Sequence, residues 1–190
     1  MRIKGKKIEL VGATADDKYR SYQMCMLSET TKSHSGPPDY PENPIVTYDE
    51  FMADHYDCYF DGSQPQNGRM FAIAKDNKTI GFITYSSFHV KQGASEIDIW
   101  IASESNCGKG FGTDAILTLA DYLKCELGMK ELIIRPSAKN ARAVRSYMRC
   151  GFAPTDKSAA DFLRPDYLPL YGDGDYGEGG DLLLVKHLPS

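Results

Sequence analysis

The stretch Asn106-Cys-Gly-Lys-Gly-Phe-Gly112 decides the fold, because it separates a strand pattern from a helix pattern. Before it, Glu96-Ile-Asp-Ile-Trp-Ile101 alternates in the period-2 manner of a half-buried strand. From Thr113 onward, apolar residues recur at helical spacing as far as Leu127. The alternate glycines leave little side-chain bulk, so bare backbone N–H groups lie beside the positive end of a helix. The stretch therefore predicts an anion site suited to a pyrophosphate.

Three kinds of phosphate-binding loop compete for this stretch. A nucleotide P-loop requires G-x-x-x-x-G-K-[ST], but Lys109 lies among the glycines and Thr113 follows Gly112 directly. A dinucleotide-binding loop requires G-x-G-x-x-G, whereas Gly108, Gly110 and Gly112 form G-x-G-x-G. The third kind is the acyl-CoA loop, [Q/R]-x-x-G-x-[G/A], in which Gly110 and Gly112 take the two glycine positions. An ordinary glycine turn would be favoured only if the loop stood alone.

Length and composition are those of a single globular domain. The chain has 190 residues, of which 42% are apolar and 25% are charged, as in ordinary soluble proteins. One core of this size buries about 70% of the surface of the unfolded chain, so we expect one domain spanning residues 1–190. The net charge of −4 argues against nucleic-acid binding, which needs clustered Lys and Arg. It is compatible with a cationic substrate.

Neither a targeting signal, a membrane span nor a metal site is indicated. No hydrophobic signal core follows the basic residues 1–7, and no apolar run approaches membrane-spanning length. The five cysteines form no C-x-x-C pair and resemble reduced cytosolic thiols. The four histidines lack metal-ligand spacing. We expect a cytoplasmic protein that binds no metal, no membrane and no nucleic acid.

The remaining pattern predicts an α+β architecture with a largely antiparallel sheet. Besides the strand before the glycine loop, the expected strands cover residues 8–11, 70–74, 79–88, 131–134 and 181–186. Besides the helix after the loop, the expected helices cover residues 16–26, 48–59 and 140–150, with Asp16 and Asn140 as N-caps. The turn Asp76-Asn77-Lys78 predicts a hairpin. Residues 33–44 are expected to form a loop, and residues 153–180 a flexible loop or lid.

Two segments together resemble the GNAT superfamily of N-acetyltransferases. They are Ile97-Asp-Ile-Trp-Ile-Ala-Ser-Glu-Ser-Asn-Cys-Gly-Lys-Gly-Phe-Gly-Thr113 and Arg135-Pro-Ser-Ala-Lys-Asn-Ala-Arg-Ala-Val-Arg-Ser-Tyr-Met-Arg-Cys-Gly-Phe152. Within the superfamily, residues 96–152 are most similar to the aminoglycoside 6'-N-acetyltransferases of antibiotic resistance. The resemblance implies a mixed, mostly antiparallel sheet flanked by helices, with an acyl-CoA cleft between two splayed strands. It also implies direct transfer of an acetyl group from acetyl-CoA to a primary amine of a small molecule, with an aminoglycoside as the leading acceptor.

The resemblance assigns the acetyl-CoA site to the glycine loop and to the helix that begins after Asn140. Asn140, Ala143 and Tyr147 share one face of that helix. Asn140 can hydrogen-bond the pantetheine arm, small Ala143 permits its close approach, and Tyr147 can protonate the leaving thiolate. The expected cofactor contacts are Trp100, Ile101, Cys107, Gly108, Lys109, Gly110, Phe111, Gly112, Thr113, Asn140, Ala143 and Tyr147. We expect the helix N-terminus to lower the pKa of Cys107, but no partner makes this thiol a nucleophile.

The acceptor site is assigned to the strand before the loop. Glu96, Asp98 and Trp100 point to one side of this strand, because alternate side chains point together. In the aminoglycoside-acetylating relatives, a carboxylate at the Asp98 position binds the amino group and can accept its proton. We therefore expect Asp98 to be the general base and Glu96 to contact the substrate; a solvent-facing carboxylate is the alternative. Arg135 stands where those relatives tend to have aspartate, so it should repel a polycationic acceptor unless a carboxylate such as Glu96 neutralises it.

Several interpretations remain open at this point. The aromatic-rich residues 48–59 are either core packing or a wall of the acceptor pocket. The acceptor is either a small amine or a protein, through an N-terminus or a lysine. A catalytically silent acyl-CoA-binding module, whose 153–180 insert recruits a partner, is a third class. We expect a monomer or a homodimer.

Overall fold

A computed structural model of the chain describes residues 1–32, 45–175 and 180–189. Its strands are β1 (Arg2–Lys4), β2 (Glu9–Gly12), β3 (Gly68–Lys75), β4 (Lys78–Ser86), β5 (Ala94–Ile101), β6 (Glu131–Ile134), β7 (Ala153–Pro154) and β8 (Leu184–His187). Its α-helices are α1 (Lys18–Met26), α2 (Tyr48–Ala53), α3 (Cys58–Asp61), α4 (Phe111–Leu127), α5 (Ala141–Arg149), α6 (Ala159–Phe162) and α7 (Leu168–Tyr171). Within the described residues, the eight strands form one sheet in the order β1-β2-β3-β4-β5-β6-β8-β7. The predicted α+β class is therefore confirmed.

Strands β1 to β5 form an antiparallel meander. Between β3 and β4, Asp76 and Asn77 turn the chain with φ angles of 50° and 61°. These left-handed values are ones that Asp and Asn tolerate better than most residues. The predicted hairpin is confirmed, as is the strand expected at residues 8–11. The sequence pattern did not indicate β1, because two of its three residues, Arg2 and Lys4, are charged.

The sheet opens between β5 and β6. These strands are parallel and pair only from Ala94 to Glu96 on β5, opposite residues 131–133 of β6. Beyond Glu96, β5 stays paired with β4 as far as Ile101, whereas β6 pairs with β8 as far as Ile134. The two strands therefore splay apart and leave a wedge-shaped gap between them. This confirms the predicted pair of splayed strands. The glycine loop follows the free end of β5, so this loop and the start of α4 lie at the mouth of the wedge.

The two faces of the sheet carry separate cores. On one face, Ile97 of β5 packs with Leu119 and Leu123 of α4, and all three are fully buried. On the other face, Phe82 of β4 packs with Tyr59 of α3. Fully burying a large apolar side chain stabilises the fold by about 1.5–3 kcal/mol. Packing of this kind holds α4, and hence the loop before it, against β5.

Residue Asp114 ties the first turn of α4 to the turn between β1 and β2. Its carboxylate accepts hydrogen bonds from the backbone N–H groups of Lys6 (3.1 Å), Lys7 (2.6 Å) and Ile8 (3.1 Å). Gly5 permits this approach, because a Cβ atom there would lie 2.6 Å from the Asp114 carboxylate. The N-terminal turn is thereby fixed beside the glycine loop, more than a hundred residues away in sequence.

The helix predicted for residues 48–59 is wrong in its continuity. Thr47 and Glu50 form a reciprocal N-terminal cap on α2, but the helix ends at Ala53, and α3 begins at Cys58. The intervening Asp-His-Tyr-Asp sequence contains weak helix formers. The break lets α3 turn its residues 58–60 into the core, where all three are buried. The helix expected at residues 16–26 begins instead as a 3-10 turn at residues 15–17, because Thr14 caps it.

The segment expected to be a flexible loop or lid, residues 153–180, is not an irregular loop throughout, because it contains β7, α6 and α7. Phe162 and Leu163 are buried against Val90. The backbone of this pair is also bonded to the segment between β4 and β5, because the Lys91 N–H donates to the Phe162 carbonyl (2.8 Å). This apolar pair lies in a charged context, where sequence periodicity gives no signal. Residues 176–179 of this segment, and the loop expected at 33–44, lie outside the described residues.

We predict that Asp114→Ala lowers the free energy of unfolding by about 3 kcal/mol, because three N–H groups lose a charged acceptor. Asp121→Ala, at an exposed position of the same helix, is the matched control and should change it by less than about 0.5 kcal/mol. Urea titration followed by circular dichroism measures both values. Equal, small effects in the two variants would contradict the anchoring role of Asp114.

Candidate active site

A cleft of about 490 Å³ occupies the wedge between the splayed strands. It is bounded by the end of β5, the glycine loop, the first turn of α4 and one face of α5. A volume of this size is typical of small-molecule and cofactor sites. The predicted cofactor contacts that line it are Trp100, Ile101, Cys107, Gly108, Gly110, Phe111, Gly112, Thr113, Asn140, Ala143 and Tyr147. Lys109 does not line it, and its carbonyl accepts a hydrogen bond from the Lys7 ammonium (2.9 Å).

The glycine loop presents backbone N–H groups to the cleft. Gly108 and Gly110 have φ angles of 73° and 81°, a left-handed conformation that favours glycine. Gly110 is the N-cap residue of α4 and has no side chain to cap the helix. The first helical hydrogen bond runs from Asp114 N–H to the Gly110 carbonyl, so the N–H groups of residues 111–113 precede the ladder. These N–H groups and the dipole of a 17-residue helix favour an anion.

The start of α5 forms the opposite wall. The side-chain oxygen of Asn140 accepts a hydrogen bond from Ala143 N–H at 3.0 Å, which confirms the predicted cap and leaves the Asn140 amide N–H groups as donors. Asn140, Ala143 and Tyr147 all line the cleft. The Tyr147 ring packs edge-on against Phe152, with the centroids 6.4 Å apart. This orientation is consistent with one helix face directed at the cleft.

The thiol of Cys107 departs from the sequence-based expectation. Burial raises its pKa, and this effect outweighs the lowering effect of Arg142. Cys107 follows a 3-10 turn at residues 104–106 rather than lying in the first turn of α4, so the helix dipole does not activate it. Its thiol donates to the Ser103 carbonyl (3.5 Å). A largely protonated thiol is a poor nucleophile.

The opposite face of β5 carries a buried ionic cluster. The Glu96 carboxylate accepts from Arg135 Nε (2.7 Å) and Nη2 (3.1 Å) and pairs with His89 Nε2 (2.6 Å). Arg135 Nη1 also donates to the Tyr171 carbonyl (2.5 Å). Burial alone would raise the pKa of Glu96, but the hydrogen bonds from His89 and Arg135 hold it below its ordinary value. Glu96 thus neutralises the charge of Arg135. Such neutralisation is what a polycationic acceptor requires.

Asp98 lies two residues further along the same face of β5, opposite Thr84 of β4. It is half-buried. Removal of its carboxyl group from water raises its pKa well above the ordinary value, and the negative charges of Asp175 and Glu96 raise it further. Trp100, the next residue on this face, lines the cleft. Side chains two positions apart on a strand are about 7 Å apart, so Asp98 lies one such step from the cleft.

Aromatic rings surround this face. Tyr56 packs edge-on against Phe88 at 4.8 Å, and Phe88 packs edge-on against Tyr171 at 6.0 Å. Tyr59 is buried and its hydroxyl bonds to the Ser86 hydroxyl (2.6 Å), whereas Tyr56 is 49% exposed. The aromatic-rich residues 48–59 therefore serve in part as core packing and in part as an accessible wall.

A family model for the acetyltransferase (GNAT) domain matches residues 7–153. This range contains the glycine loop, the splayed strands and the Asn140 helix. The chain belongs to the GNAT family. It is accordingly an acetyltransferase, as the motifs implied. A search of curated protein sequences gives no match.

Solved GNAT structures share the fold of the whole chain. The aminoglycoside acetyltransferase AAC(6')-Ib, in complex with ribostamycin and coenzyme A, is 18% identical with a TM-score of 0.66, covering 96% of this chain and 94% of its own. RimL, a ribosomal L7/L12 alpha-N-protein acetyltransferase in complex with coenzyme A, is 17% identical with a TM-score of 0.68, covering 99% and 98%. Spermidine N-acetyltransferase from Vibrio cholerae, with CoA and spermine, is 18% identical with a TM-score of 0.64, covering 95% of both chains.

Sequence reasoning missed several residues of the GNAT cleft. Thr30 and Thr31, in the segment after α1, line it, and the Thr30 hydroxyl donates to the Ile101 carbonyl (2.5 Å). No local motif marks these threonines. Arg142, to which the sequence patterns assigned no role, also lines the cleft and forms an ion pair with Glu104 (2.7 Å).

Two further expectations concern a membrane-spanning helix and a metal site. Among the described residues, no helix is long and apolar enough to cross a membrane. In the same residues, no three His, Cys, Asp or Glu side chains are grouped to hold a metal ion. The absence of a metal from the reaction stays a prediction.

We predict that Gly112→Val weakens coenzyme A binding by about 10- to 100-fold, because added side-chain bulk costs 1–3 kcal/mol in a packed site. A Cβ atom at Gly112 would lie 3.7 Å from Ile99 and 3.9 Å from Ile101, so it would fit the protein and fill the cleft. Leu117→Val, at a partly exposed position of α4, is the control. Isothermal calorimetry with coenzyme A measures both. Unchanged affinity in a folded Gly112→Val protein would remove the ligand from this loop.

We further predict that Arg135→Met destabilises the fold by about 3 kcal/mol at pH 7, because Glu96 loses its buried cation. The low pKa of Glu96 means that the wild-type cluster stabilises the fold above about pH 4.3 and loses this contribution as the pH falls below it. The variant should therefore lose less stability on acidification. Arg145→Met, at an exposed position of α5, is the control. Denaturant titrations at pH 7 and pH 3 with the same acid dependence in all three proteins would refute this role.

Proposed function

We propose that the protein transfers the acetyl group of acetyl-CoA directly to a primary amine of a small cationic molecule. The observation that carries the proposal is the arrangement of β5. Its end borders the donor cleft through Trp100 and Ile101, and Asp98 lies two positions before Trp100 on the same face. One strand thus carries both a border of the donor cleft and an acidic side chain about 7 Å from it.

The donor half of the proposal rests on the glycine loop and α5. The N–H groups of residues 111–113 suit the pyrophosphate of acetyl-CoA, which supplies an activated thioester when bound. The amide N–H groups of Asn140 can bond the pantetheine arm, and small Ala143 permits its approach. The Tyr147 hydroxyl lines the same cleft and is suited to protonate the departing thiolate.

The acceptor half rests on Asp98. Its raised pKa suits a group that must accept a proton near neutral pH, because a base works best when its pKa approaches the working pH. Ionised Asp98 attracts the substrate ammonium and takes one proton from it, directly or through water. The freed nitrogen lone pair attacks the thioester carbon, and the C–S bond breaks as Tyr147 protonates the sulfur. The nitrogen then releases its second proton to the Tyr147 oxygen, directly or through water, so that the amide is neutral and the phenol is restored. No covalent acetyl-enzyme is required, in agreement with the raised pKa of Cys107.

The cationic class of the acceptor follows from the charges on this face. Asp175 and Asp54 act electrostatically on the same region, since Asp175 raises the pKa of Asp98 and Asp54 that of Asp175. The positive charge of Arg135 is neutralised by Glu96. The exposed ring of Tyr56 adds a surface for a cation or an apolar ring. The aminoglycoside and spermidine enzymes with this fold act on small polycations, and RimL acts on a protein, so both classes are tested below.

We predict that Asp98→Asn lowers kcat by about 10²- to 10⁴-fold with coenzyme A affinity unchanged, because the amide cannot take a proton. In the wild type, kcat/KM should rise with pH through the raised pKa of Asp98, above the ordinary aspartate value near 3.9. The variant should lack this limb of the profile. Asp121→Asn is the control. Thiol release assays give the rates. Full activity of the Asp98 variant at saturating amine would show that Asp98 only faces water.

The acceptor class is tested with a panel of aminoglycosides, polyamines and peptides with a free N-terminus, each assayed for thiol release from acetyl-CoA. We expect turnover of small cationic amines, falling as ionic strength rises because salt screens the acidic face. Turnover confined to peptides would replace the small-amine acceptor with a protein. Binding of coenzyme A without turnover of any amine would favour the catalytically silent module.

A further inference from the structure

The turn between β1 and β2 lies beside the glycine loop and the first turn of α4. Its backbone is held by Asp114, as described above, and Lys7 makes the shortest of those three bonds at 2.6 Å. The bond to Asp114 fixes the backbone of Lys7. The residue is exposed, and its side chain extends toward the glycine loop. Because Asp114 belongs to the first turn of α4, its hydrogen bonds hold the β1–β2 turn at a fixed position relative to the glycine loop.

The Lys7 ammonium stands beside the N-terminus of α4. Its Nζ atom donates to the Lys109 carbonyl at 2.9 Å. It would also lie 3.0 Å from a Cβ atom placed on Gly110, the N-cap residue of the helix. The ammonium therefore lies beside the N-cap of the helix whose first N–H groups are those of residues 111–113, although Lys7 itself is not among the described residues that line the cleft. A neutral carbonyl is a weaker partner for an ammonium than a phosphate oxygen is.

We propose that Lys7 is a ligand of the acetyl-CoA pyrophosphate, which its ammonium contacts together with the N–H groups of the glycine loop. This inference rests on the proposed function, because it requires acetyl-CoA in the cleft. The loop itself supplies dipoles, equivalent to about half a charge at a helix N-terminus. Lys7 adds a full positive charge from a segment that lies outside the glycine motif. The pyrophosphate carries two negative charges. The dipoles of the loop neutralise only part of this charge, and the Lys7 ammonium neutralises more of it.

Charge pairing distinguishes Lys7 from Arg142. Arg142 lines the cleft, but its guanidinium is paired with Glu104 at 2.7 Å. The Lys7 ammonium donates instead to a carbonyl, which carries no net charge to compete with a phosphate. Binding thus exchanges a neutral acceptor for an anionic one at Lys7, whereas Arg142 must first leave a carboxylate.

The test compares Lys7→Ala with Lys6→Ala, its neighbour on the same turn. Both variants lose one positive charge and keep the backbone N–H groups that bond Asp114, so both should fold. Coenzyme A affinity is measured by calorimetry and by the fluorescence of Trp100, the single tryptophan of the sequence, which lines the cleft. We expect Lys7→Ala to raise the dissociation constant about 10-fold, the value of one charge-assisted contact. Lys6→Ala should raise it less than about 2-fold, and Lys7→Arg should restore most of the affinity.

A second ligand fixes which phosphate is contacted. Dephospho-CoA retains the pyrophosphate and lacks the 3'-phosphate, so Lys7→Ala should weaken it by the same factor as coenzyme A. The factor should shrink for both ligands as salt rises. A loss confined to coenzyme A would overturn the pyrophosphate contact in favour of the 3'-phosphate. Equal effects of Lys7→Ala and Lys6→Ala would overturn a direct contact altogether.

The outcome also separates this inference from the proposed function. If the wild-type protein binds neither coenzyme A nor dephospho-CoA, the donor assignment itself fails, and the Lys7 inference fails with it. If the wild type binds both ligands and Lys7→Ala binds them equally well, the donor assignment stands and only the role of Lys7 is refuted.

Discussion

The short parallel pairing of β5 with β6 is the constraint on which the site depends. Three residue pairs join these strands, after which each follows a different neighbour. A continuous ladder would satisfy more backbone groups, but it would close the wedge and leave no room between the strands. The packing of Ile97 against α4 keeps β5 in place where its ladder with β6 ends. The cleft is therefore an opening in the sheet itself, held by the helices on either side of it.

Charge is stabilised in different ways at the two halves of the proposed site. At the donor half, the uncharged N–H groups of the glycine loop and the dipole of α4 favour an anion. At the proposed acceptor half, Glu96 is held ionised in a buried position because Arg135 and His89 bond to it, whereas no cationic side chain among the described residues bonds to Asp98, and burial raises the pKa of Asp98. The pKa values of two carboxylates on one strand thus shift in opposite directions because their partners differ. This contrast lets one carboxylate remain charged while the other exchanges a proton.

Local patterns in the sequence predicted the features that depend on neighbours in the chain. The glycine loop, the Asp76-Asn77 hairpin and the Asn140 cap each need only a few consecutive residues. Contacts between distant segments were not predictable in this way. The bonds of Asp114 to residues 6–8 leave no periodic trace. The pairing of Arg135 with Glu96 was anticipated from their opposite charges and not from any periodicity. The break between α2 and α3 likewise follows from the way α3 turns into the core, which no single-segment propensity reports.

The Arg135 guanidinium bonds to the carbonyl of Tyr171, a residue in a part of the chain that does not line the donor cleft. This separation affects how such an enzyme can diversify. The donor cleft is built almost wholly from residues 99–149, with Thr30 and Thr31 added. The aromatic wall of the acceptor side comes from residues 56–59, 88–89 and 167–171. If the proposed acceptor side is correct, substitutions in the C-terminal part of this wall can change which amine is accepted while the residues of the donor cleft stay unchanged. A lineage could acquire new acceptors by altering short helices at its C-terminal end, without first surviving the loss of its donor site.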